Sequence, residues 1–187
     1  MKNISKIVLL ILSITLTSCG ALGTKTLYKT ETQLQKPTKI GFSQLANERI
    51  IEKIVKESTE IYDSTMISQL SIQNIKSDKI ILENFNEFES VEENEIKRIC
   101  AKNNLDGIIL TNLKFLYVSY SSMFIPLGVS QDTEVEMQYY DSNATLLLHT
   151  KHNTHTGNTY WNIPSADKTV ADGTIGALQR ILQEISK

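Results

Sequence analysis

The stretch Ala101-Lys102-Asn103-Asn104-Leu105-Asp106-Gly107-Ile108-Ile109-Leu110 decides the fold, because it takes the chain from the end of a helix into a strand. Asn103 and Asn104 are residue types that tolerate the left-handed conformation of a helix C-cap. Asp106-Gly107 then turns the chain into three consecutive apolar residues, a pattern typical of a strand covered on both faces. We therefore expect a central strand that begins near Ile108.

The helix that ends at this stretch is expected to begin at Ser90. Ser90-Val91-Glu92-Glu93 has the pattern of a capping box. In this motif the serine oxygen accepts a hydrogen bond from a first-turn amide, and Glu93 reaches back to the amide of Ser90. The helix would bury Cys100 as a small apolar residue, together with Ile96 and Ile99. A short strand, Lys79-Ile80-Ile81-Leu82, is predicted before it.

Further upstream, the sequence predicts a strand followed by one long helix. Thr38 to Phe42 is the strand, and Ser43 is a suitable N-cap for a helix running towards Leu70. Mixed charges occupy the rest of the helix surface, so we interpret it as an amphipathic helix that faces the core rather than a membrane. Its apolar residues share one face at helical spacing: Leu45, Ile51, Ile54, Val55, Tyr62, Met66 and Leu70.

Downstream of the central strand, alternating residues predict a hairpin. Alternation of apolar and polar residues continues to Tyr117, which extends the central strand. A second alternating run, Thr133 to Tyr139, predicts a strand with one buried face. Asp141-Ser142-Asn143 supplies the turn, with Asn143 in the left-handed position, and Leu146-Leu147-Leu148 begins the returning strand.

A last helix is expected after Pro164, with Ser165 as its cap. Gly173 and Gly176 weaken its first half by up to about 1 kcal/mol each relative to alanine. Its apolar face comprises Val170, Leu178, Ile181, Leu182 and Ile185. Together the elements predict an α/β (α+β) domain, in which two long helices and a C-terminal helix pack on a single mixed sheet of about five strands.

The N-terminus has the architecture of a signal peptide. Lys2 and Lys6 give a positive segment, and the apolar run from Ile7 to Leu16 has about half the length that a membrane-spanning helix needs. Leu16-Thr17-Ser18-Cys19 then resembles the lipobox at which bacterial lipoprotein precursors are lipidated and cleaved. The resemblance implies that the Cys19 thiol is joined to diacylglycerol and that acyl chains anchor the mature protein. The alternative is an ordinary secretory signal with a chance cysteine.

The chain is accordingly divided into residues 1–18 as the signal peptide, 19–37 as the lipidated cysteine with a flexible tether, and 38–187 as a single α/β domain. The tether is rich in Gly, Thr, Lys and Gln, and we predict no helix or strand in it. Gly20 follows the cysteine. By resemblance to lipoproteins in which Asp at that place causes inner-membrane retention, Gly20 leaves export to the outer membrane open. The prediction is a lipid-anchored protein of the bacterial envelope, in the outer membrane and facing the periplasm.

Charge and cysteine content exclude some functions. Loss of Lys2 and Lys6 with the signal peptide lowers the basic side chains from 19 to 17 against 21 acidic ones, a net charge near −4. Nucleic acid is therefore not an expected partner, because its binding needs a basic surface.

Cys100 has no intramolecular partner once Cys19 carries lipid, so packing alone must stabilise the domain. The sequence contains no nucleotide-binding loop or nucleophile elbow, and we predict neither a cofactor nor enzymatic activity.

The order of these elements resembles a group of envelope α/β domains. The resemblance rests on the helix-Asp-strand pattern at Asp106 and the strand-Asp-turn-strand pattern at Asp141, and it covers Thr38 to Lys187. The group includes the amino-terminal domain of TolB, the curli-secretion channel lipoprotein and the lipoprotein activator of a penicillin-binding protein. Asn143 stands where such hairpins often have glycine. The resemblance implies scaffold, activator or secretion roles through protein contacts, and no shared catalytic site.

An apolar segment from Tyr117 to Val129 connects two predicted strands. Because connections are normally polar, this one must be buried against the domain's own core, against a partner or against the membrane. We expect it to dock an envelope protein or a second subunit. The residues predicted to make this contact are Tyr120, Phe124, Ile125 and Leu127.

All three histidines, His149, His152 and His155, lie close together in the sequence, which raises the alternative of a metal-binding or enzymatic lipoprotein. In a strand, residues three apart point to opposite faces, so His152 would not share a side with the other two. No metal site is therefore predicted. Tyr160-Trp161 is interpreted as a core or hairpin anchor rather than a ligand-binding pair. The leading expectation is a non-enzymatic binding, scaffold or assembly module.

Replacement of Cys19 tests the lipid anchor. The Cys19→Ala chain should fold normally but no longer sediment with membranes, because it lacks the thiol that accepts lipid. Ultracentrifugal fractionation of cells measures this, with Cys100→Ala as the matched control that loses a thiol elsewhere and should stay with the membranes. Retention of Cys19→Ala in the membrane fraction after normal processing would contradict the lipobox.

Overall fold

The computed structural model describes residues 23–122, 125–158 and 166–186. In this part of the chain, six strands form one sheet, flanked by four α-helices and a short 3₁₀ helix. The strands are β1 (Gly23–Lys29), β2 (Lys39–Leu45), β3 (Lys76–Ile80), β4 (Gly107–Ser122), β5 (Ile125–Asp141) and β6 (Leu146–Asn158). The helices are α1 (Glu48–Ile54), α2 (Ser58–Ile72), α3 (Glu93–Asn103) and α4 (Ala166–Ile185), and the 3₁₀ helix is Phe88–Ser90.

The strand order is β1-β6-β5-β4-β2-β3. β2 runs parallel to both β3 and β4, whereas β4, β5, β6 and β1 are antiparallel in succession. The predicted α/β fold with a single mixed sheet is therefore confirmed. The strand that follows Asp106 is central, and Ile108, Ile109 and Leu110 are fully buried, as their consecutive apolar side chains predicted.

Helices cover both faces of the sheet, and each face has its own apolar core. α2 and α4 pack on one face, against side chains of β2, β4, β5 and β6. α3 and the 3₁₀ helix pack on the other face, over Ile108 and Leu110. Cys100 is buried in this second core as predicted, and burial raises the pKa of its thiol to about 11. The thiol is therefore protonated and poorly nucleophilic.

α4 lies very close to the sheet at Gly176. A Cβ atom at this position would lie 2.3 Å from Nδ1 of His152. The same ring nitrogen is 2.6 Å from Oγ1 of Thr24 on β1, and Thr24 Oγ1 donates to the carbonyl oxygen of Gly176 at 3.2 Å. The lower helix propensity of glycine at this position is thus offset by a contact that joins α4, β6 and β1.

β1 lies in the segment for which we predicted a tether without secondary structure, and that prediction is wrong at Gly23–Lys29. β1 pairs antiparallel with β6, and Nζ of Lys29 lies 2.5 Å from Oε2 of Glu184 on α4. Polar side chains such as Thr24 and Thr26 anchor β1 to α4 and β6. The strand has no apolar alternation, so hydrophobic periodicity did not reveal it.

The prediction of one long helix capped by Ser43 is also wrong. Ser43 is a buried residue of β2, which extends beyond Phe42 to Leu45. Asn47 then takes a left-handed conformation, with φ of 55°, and turns the chain into α1.

The helical segment breaks into α1 and α2 because Glu52 caps the second helix. Its carboxylate accepts from the N–H groups of Glu57 (2.6 Å) and Thr59 (3.2 Å), and Glu57 is left-handed with φ of 66°. Tyr62, Met66 and Leu70 are buried as predicted. Ile54, which was predicted to be buried with them, is exposed.

The predicted capping box at Ser90 does not form. Ser90 lies in the 3₁₀ helix, where its Oγ donates to the carbonyl oxygen of Glu87 at 2.6 Å, and α3 begins at Glu93. The other end of α3 is as predicted, since Asn104 is the left-handed C-cap. β3 precedes the predicted strand 79–82 by a few residues.

The β5–β6 hairpin forms at the predicted turn, but the left-handed residue is Ala144 rather than Asn143. Oδ1 of Asp141 accepts from the N–H groups of Asn143 (2.9 Å) and Thr145 (2.8 Å), which places the positive φ between them.

The prediction that residues 117–129 form an apolar loop between two strands is wrong, because most of this segment is itself paired strand. The register of β4 and β5 runs from Tyr117 opposite Gln131 to Ser122 opposite Ile125. Residues 123 and 124, the side chains of 117–131, and the predicted features Cys19, Tyr160-Trp161 and Ser165 lie outside the described residues. Within the ranges described, none of the helices has both the length and the apolarity needed to cross a bilayer.

Substitution of Gly176 tests the close contact between α4 and the sheet. Gly176→Ala should destabilise the domain by about 1–3 kcal/mol, because the added methyl group displaces His152 from Thr24. At an exposed position inside a helix, the same substitution would instead stabilise the protein by about 1 kcal/mol. Urea unfolding measures the change, with exposed Gln179→Ala on the same helix as the control. A stabilised Gly176→Ala variant would contradict the contact.

Candidate functional site

β2 and β4 separate after a small buried polar cluster. Oγ of Ser43 accepts from the N–H of Thr111 at 3.2 Å, where a backbone carbonyl would continue the ladder. The Tyr62 hydroxyl lies 3.0 Å from the carbonyl oxygen of Ser43 and 2.8 Å from Oγ1 of Thr111. Among the described residues, the last backbone bond between the two segments runs from the N–H of Ala46 to the carbonyl oxygen of Thr111. Beyond it the chain turns away at Asn47.

β4 therefore has an unpaired edge beyond Thr111. Its pairing with β5 continues to Ser122, but on the side of β2 no strand of the described residues faces it after Thr111. The N–H and C=O of Thr111 face β2, and strand alternation directs those of Leu113 and Phe115 to the same side. An unpaired edge of this kind is a template for a strand from another chain.

A groove of about 530 Å³ lies along this edge. Its floor is the β4 segment from Asn112 to Phe115, and its first wall is α1. Ile50 and Ile54 of this wall are 57% and 61% exposed, although both are large apolar side chains. The groove thus places two exposed isoleucines beside unpaired backbone.

The second wall of the groove is acidic. It is formed by residues 86–89, in which Glu87 and Glu89 are exposed on either side of the buried Phe88. The surrounding segment, residues 83–95, contains six glutamates and no basic residue. Arg49 and Lys53, the basic residues of α1, do not line the groove, whereas Lys114 on its floor lies 3.8 Å from Glu134. A segment that enters the groove meets an apolar wall on one side and a negative wall on the other.

A charged cluster on β4, β5 and β6 borders the floor of the groove. Nε2 of His149 lies 3.5 Å from Oε2 of Glu136, and Lys151 pairs with Glu134 and lies 3.5 Å from Oε1 of Glu136. Lys114 lies 3.8 Å from Glu134. The adjacent His149 ring, aided by the nearby lysine charges, lowers the pKa of Glu136 to about 2. Glu136, which also lines the groove, is thus negatively charged at neutral pH.

His149 and His152 face opposite sides of β6, as strand alternation predicts. The His149 ring packs edge-on against Phe88, with 5.7 Å between ring centroids. His152 contacts Thr24 and α4 on the other side, where burial lowers its pKa. The side chain of His155 lies outside the described residues. No group of three or more His, Cys, Asp or Glu side chains in the described part of the chain could hold a metal ion.

The residues predicted to contact a partner lie beyond the groove, in the hairpin that β4 and β5 form. Tyr120 is on β4, Ile125 and Leu127 are on β5, and Phe124 is not described. Sequence reasoning did not identify the groove itself. A partial signal existed in α1, because Ile50 and Ile51 are adjacent and lie about 100° apart around a helix, so a short helix that buries Ile51 leaves Ile50 at the edge of its buried face. The exposure of Ile54, three residues after Ile51, was not indicated by helical spacing.

Comparison with known proteins supports the fold. No family model matches the sequence, and no curated relative matches it. Among solved structures, the PelC dodecamer from Paraburkholderia phytofirmans is 9% identical, with a TM-score of 0.52 over 83% of this chain and 96% of that chain. Lipoprotein GNA1162 from Neisseria meningitidis is 10% identical, with a TM-score of 0.49 over 79% of this chain and 99% of that chain. A minor lipoprotein from Acinetobacter baumannii is 9% identical, with a TM-score of 0.45 over 80% and 92%. At 9% identity, the likeness to the PelC structure concerns the fold alone.

The lowered pKa of Glu136 makes the folded domain sensitive to acid. The carboxylate has an ordinary pKa of 4.5 and a folded pKa of about 2. It therefore contributes stability above about pH 4.5 that is lost as the pH falls towards 2. Urea unfolding as a function of pH should show this loss, and Glu136→Gln should flatten it, while the exposed control Glu83→Gln should not. Identical acid profiles for Glu136→Gln and wild type would contradict the role of the cluster.

Proposed function

We propose that this chain is a lipid-anchored protein of the bacterial envelope that acts as a non-enzymatic binding, scaffold or assembly module through protein contacts. The observation that carries the proposal is the groove at the open edge of β4. An extended segment that adds to a sheet edge gains affinity from backbone hydrogen bonds and specificity from the side-chain surfaces beside the edge. The groove offers both, since Leu113 and Phe115 present unpaired backbone between two walls of different chemistry.

The energetic gain from occupying the groove is substantial. Isolated apolar side chains are common on protein surfaces, but Ile50 and Ile54 lie together beside unpaired backbone. Covering each of them would contribute about 1–2 kcal/mol. Each backbone hydrogen bond formed at the edge would add about 1 kcal/mol. These contributions favour a specific partner strand at this position.

The similarity in fold to PelC, whose solved structure is a dodecamer, supports assembly of several copies as one form of this role. The apolar segment of the β4–β5 hairpin supports it further. Tyr120, Phe124, Ile125 and Leu127 remain the proposed additional contact, because β4 continues from the groove through Tyr120 along the same edge.

Lipid attachment at Cys19 is part of the proposal, with the outer membrane and its periplasmic side as the proposed location. β1 begins at Gly23, only a few residues after Cys19. An extended connection of this length spans about 14 Å. The domain would therefore lie close to the membrane surface, and its partner would have to be near the same membrane.

The alternative function, metal binding or catalysis by His149, His152 and His155, is not favoured. The side chains of His149 and His152 project from opposite faces of β6. His149 contacts Phe88 on one side, and His152 contacts Thr24 on the other.

Charge introduced into the apolar wall tests the proposal. Ile50→Glu with Ile54→Glu should abolish the cross-linked species formed by the membrane-anchored protein in intact cells, because the groove could no longer cover an apolar strand. Both residues are exposed, so folding should be preserved, as circular dichroism and urea unfolding would check.

The matched control is Ile67→Glu with Ile72→Glu on α2, at positions 51% and 65% exposed that do not line the groove. This variant should cross-link as wild type does. An equal loss in both double variants, or no loss in either, would contradict the groove as the binding surface.

A further inference from the structure

We infer that the groove receives strand β1 of a second copy of this chain, so that copies associate head to tail by strand addition. The inference rests on the proposed function and specifies its partner.

β1 is the last strand at one end of the sheet, and its outer edge is unpaired among the described residues. Leu27 and Tyr28 are 50% and 46% exposed on this strand. β1 therefore offers what the groove lacks, which is a strand with free backbone groups and apolar side chains.

The charges of the two surfaces are complementary. β1 contains Lys25 and Lys29 and no acidic residue, whereas the second wall of the groove presents Glu87 and Glu89. Lys25 is exposed, and no ion pair involving it is formed within the described residues. Complementary charges at the rim of an interface fix its register and favour the correct partner over others.

β1 is also held in its extended conformation before any partner binds. Thr24 contacts His152 and Gly176, Nε of Arg180 donates to Oγ1 of Thr26 at 2.9 Å, and Lys29 pairs with Glu184. These contacts tie β1 to β6 and α4. A preformed strand loses little conformational entropy on association, which favours binding.

A chain cannot place β1 in its own groove. β6 and β5 separate β1 from β4 within the sheet, and the groove lies on the opposite side of β4. A β1 strand in the groove must therefore come from a second copy. Because β1 and the groove are different surfaces, the contact is heterologous, and repeated contacts produce a ring if the rotation closes.

Charge reversal with rescue tests this inference. Full-length lipidated protein in detergent is analysed by sedimentation velocity over a range of concentrations. Lys25→Glu, and Glu87→Lys with Glu89→Lys, should each weaken self-association by about tenfold or more. The chain with all three substitutions should associate nearly as well as wild type. Lys102→Glu, which makes the same charge change on α3, is the control and should have no effect.

A second arm tests whether β1 of one copy contacts the groove of another copy. The Lys25→Glu chain and the Glu87→Lys, Glu89→Lys chain, each impaired alone, should associate when mixed. Additive loss in the triple variant, or no effect of either reversal on an assembled wild type, overturns the inference and leaves the proposed function standing. A wild type that is monomeric at all concentrations also overturns it. The proposed function then fails separately if the Ile50→Glu, Ile54→Glu substitutions leave every cross-linked species unchanged.

Discussion

The carboxylate of Asp106 joins segments of the chain that are distant in sequence. Its Oδ2 accepts from the N–H and the Oγ1 of Thr38, at 2.6 and 2.8 Å, and from the N–H of Lys39 at 3.0 Å. The backbone of Asp106 donates to the carbonyl oxygen of Lys39 and accepts from the N–H of Ser142 in the β5–β6 turn. Hydrogen bonds from Lys39 and Thr38 lower the pKa of this carboxyl, which keeps it charged. The starts of β2 and β4 and the end of β5 are thereby fixed relative to one another.

The position of the candidate site follows from this register. Ile40 lies opposite Gly107, so β2, which ends at Leu45, pairs with β4 only as far as Thr111. The buried cluster of Ser43, Tyr62 and Thr111 lies where this pairing ends. β4 is much longer than β2, so its remaining residues have a partner only on the side of β5. The open edge is a consequence of two unequal strands joined at their first residues, with α1 and the acidic segment beside it.

Much of the fold could be predicted from the sequence because local patterns and tertiary structure agree there. The passage from α3 through Asn104 and Asp106 into a buried strand, the β5–β6 hairpin and the apolar face of α4 all follow from residue type and spacing. The break between α1 and α2 could not be predicted in this way. It depends on the side chain of Glu52 bonding amides of the next helix. β1 was missed because its stabilising contacts are polar and come from residues more than a hundred positions away.

The candidate site was the least predictable part. Its apolar wall is visible as three isoleucines in one short helix, but the open edge arises only from the relative lengths of paired strands.

The measurement that tests the account is amide hydrogen exchange along β4 in the full-length protein at low and high concentration. The account predicts that the amides of Leu113 and Phe115 exchange rapidly in the monomer and slowly in the assembly, whereas that of Ile109 is slow in both. Protection of Leu113 and Phe115 in the monomer equal to that of Ile109, or rapid exchange that persists on assembly, would contradict it.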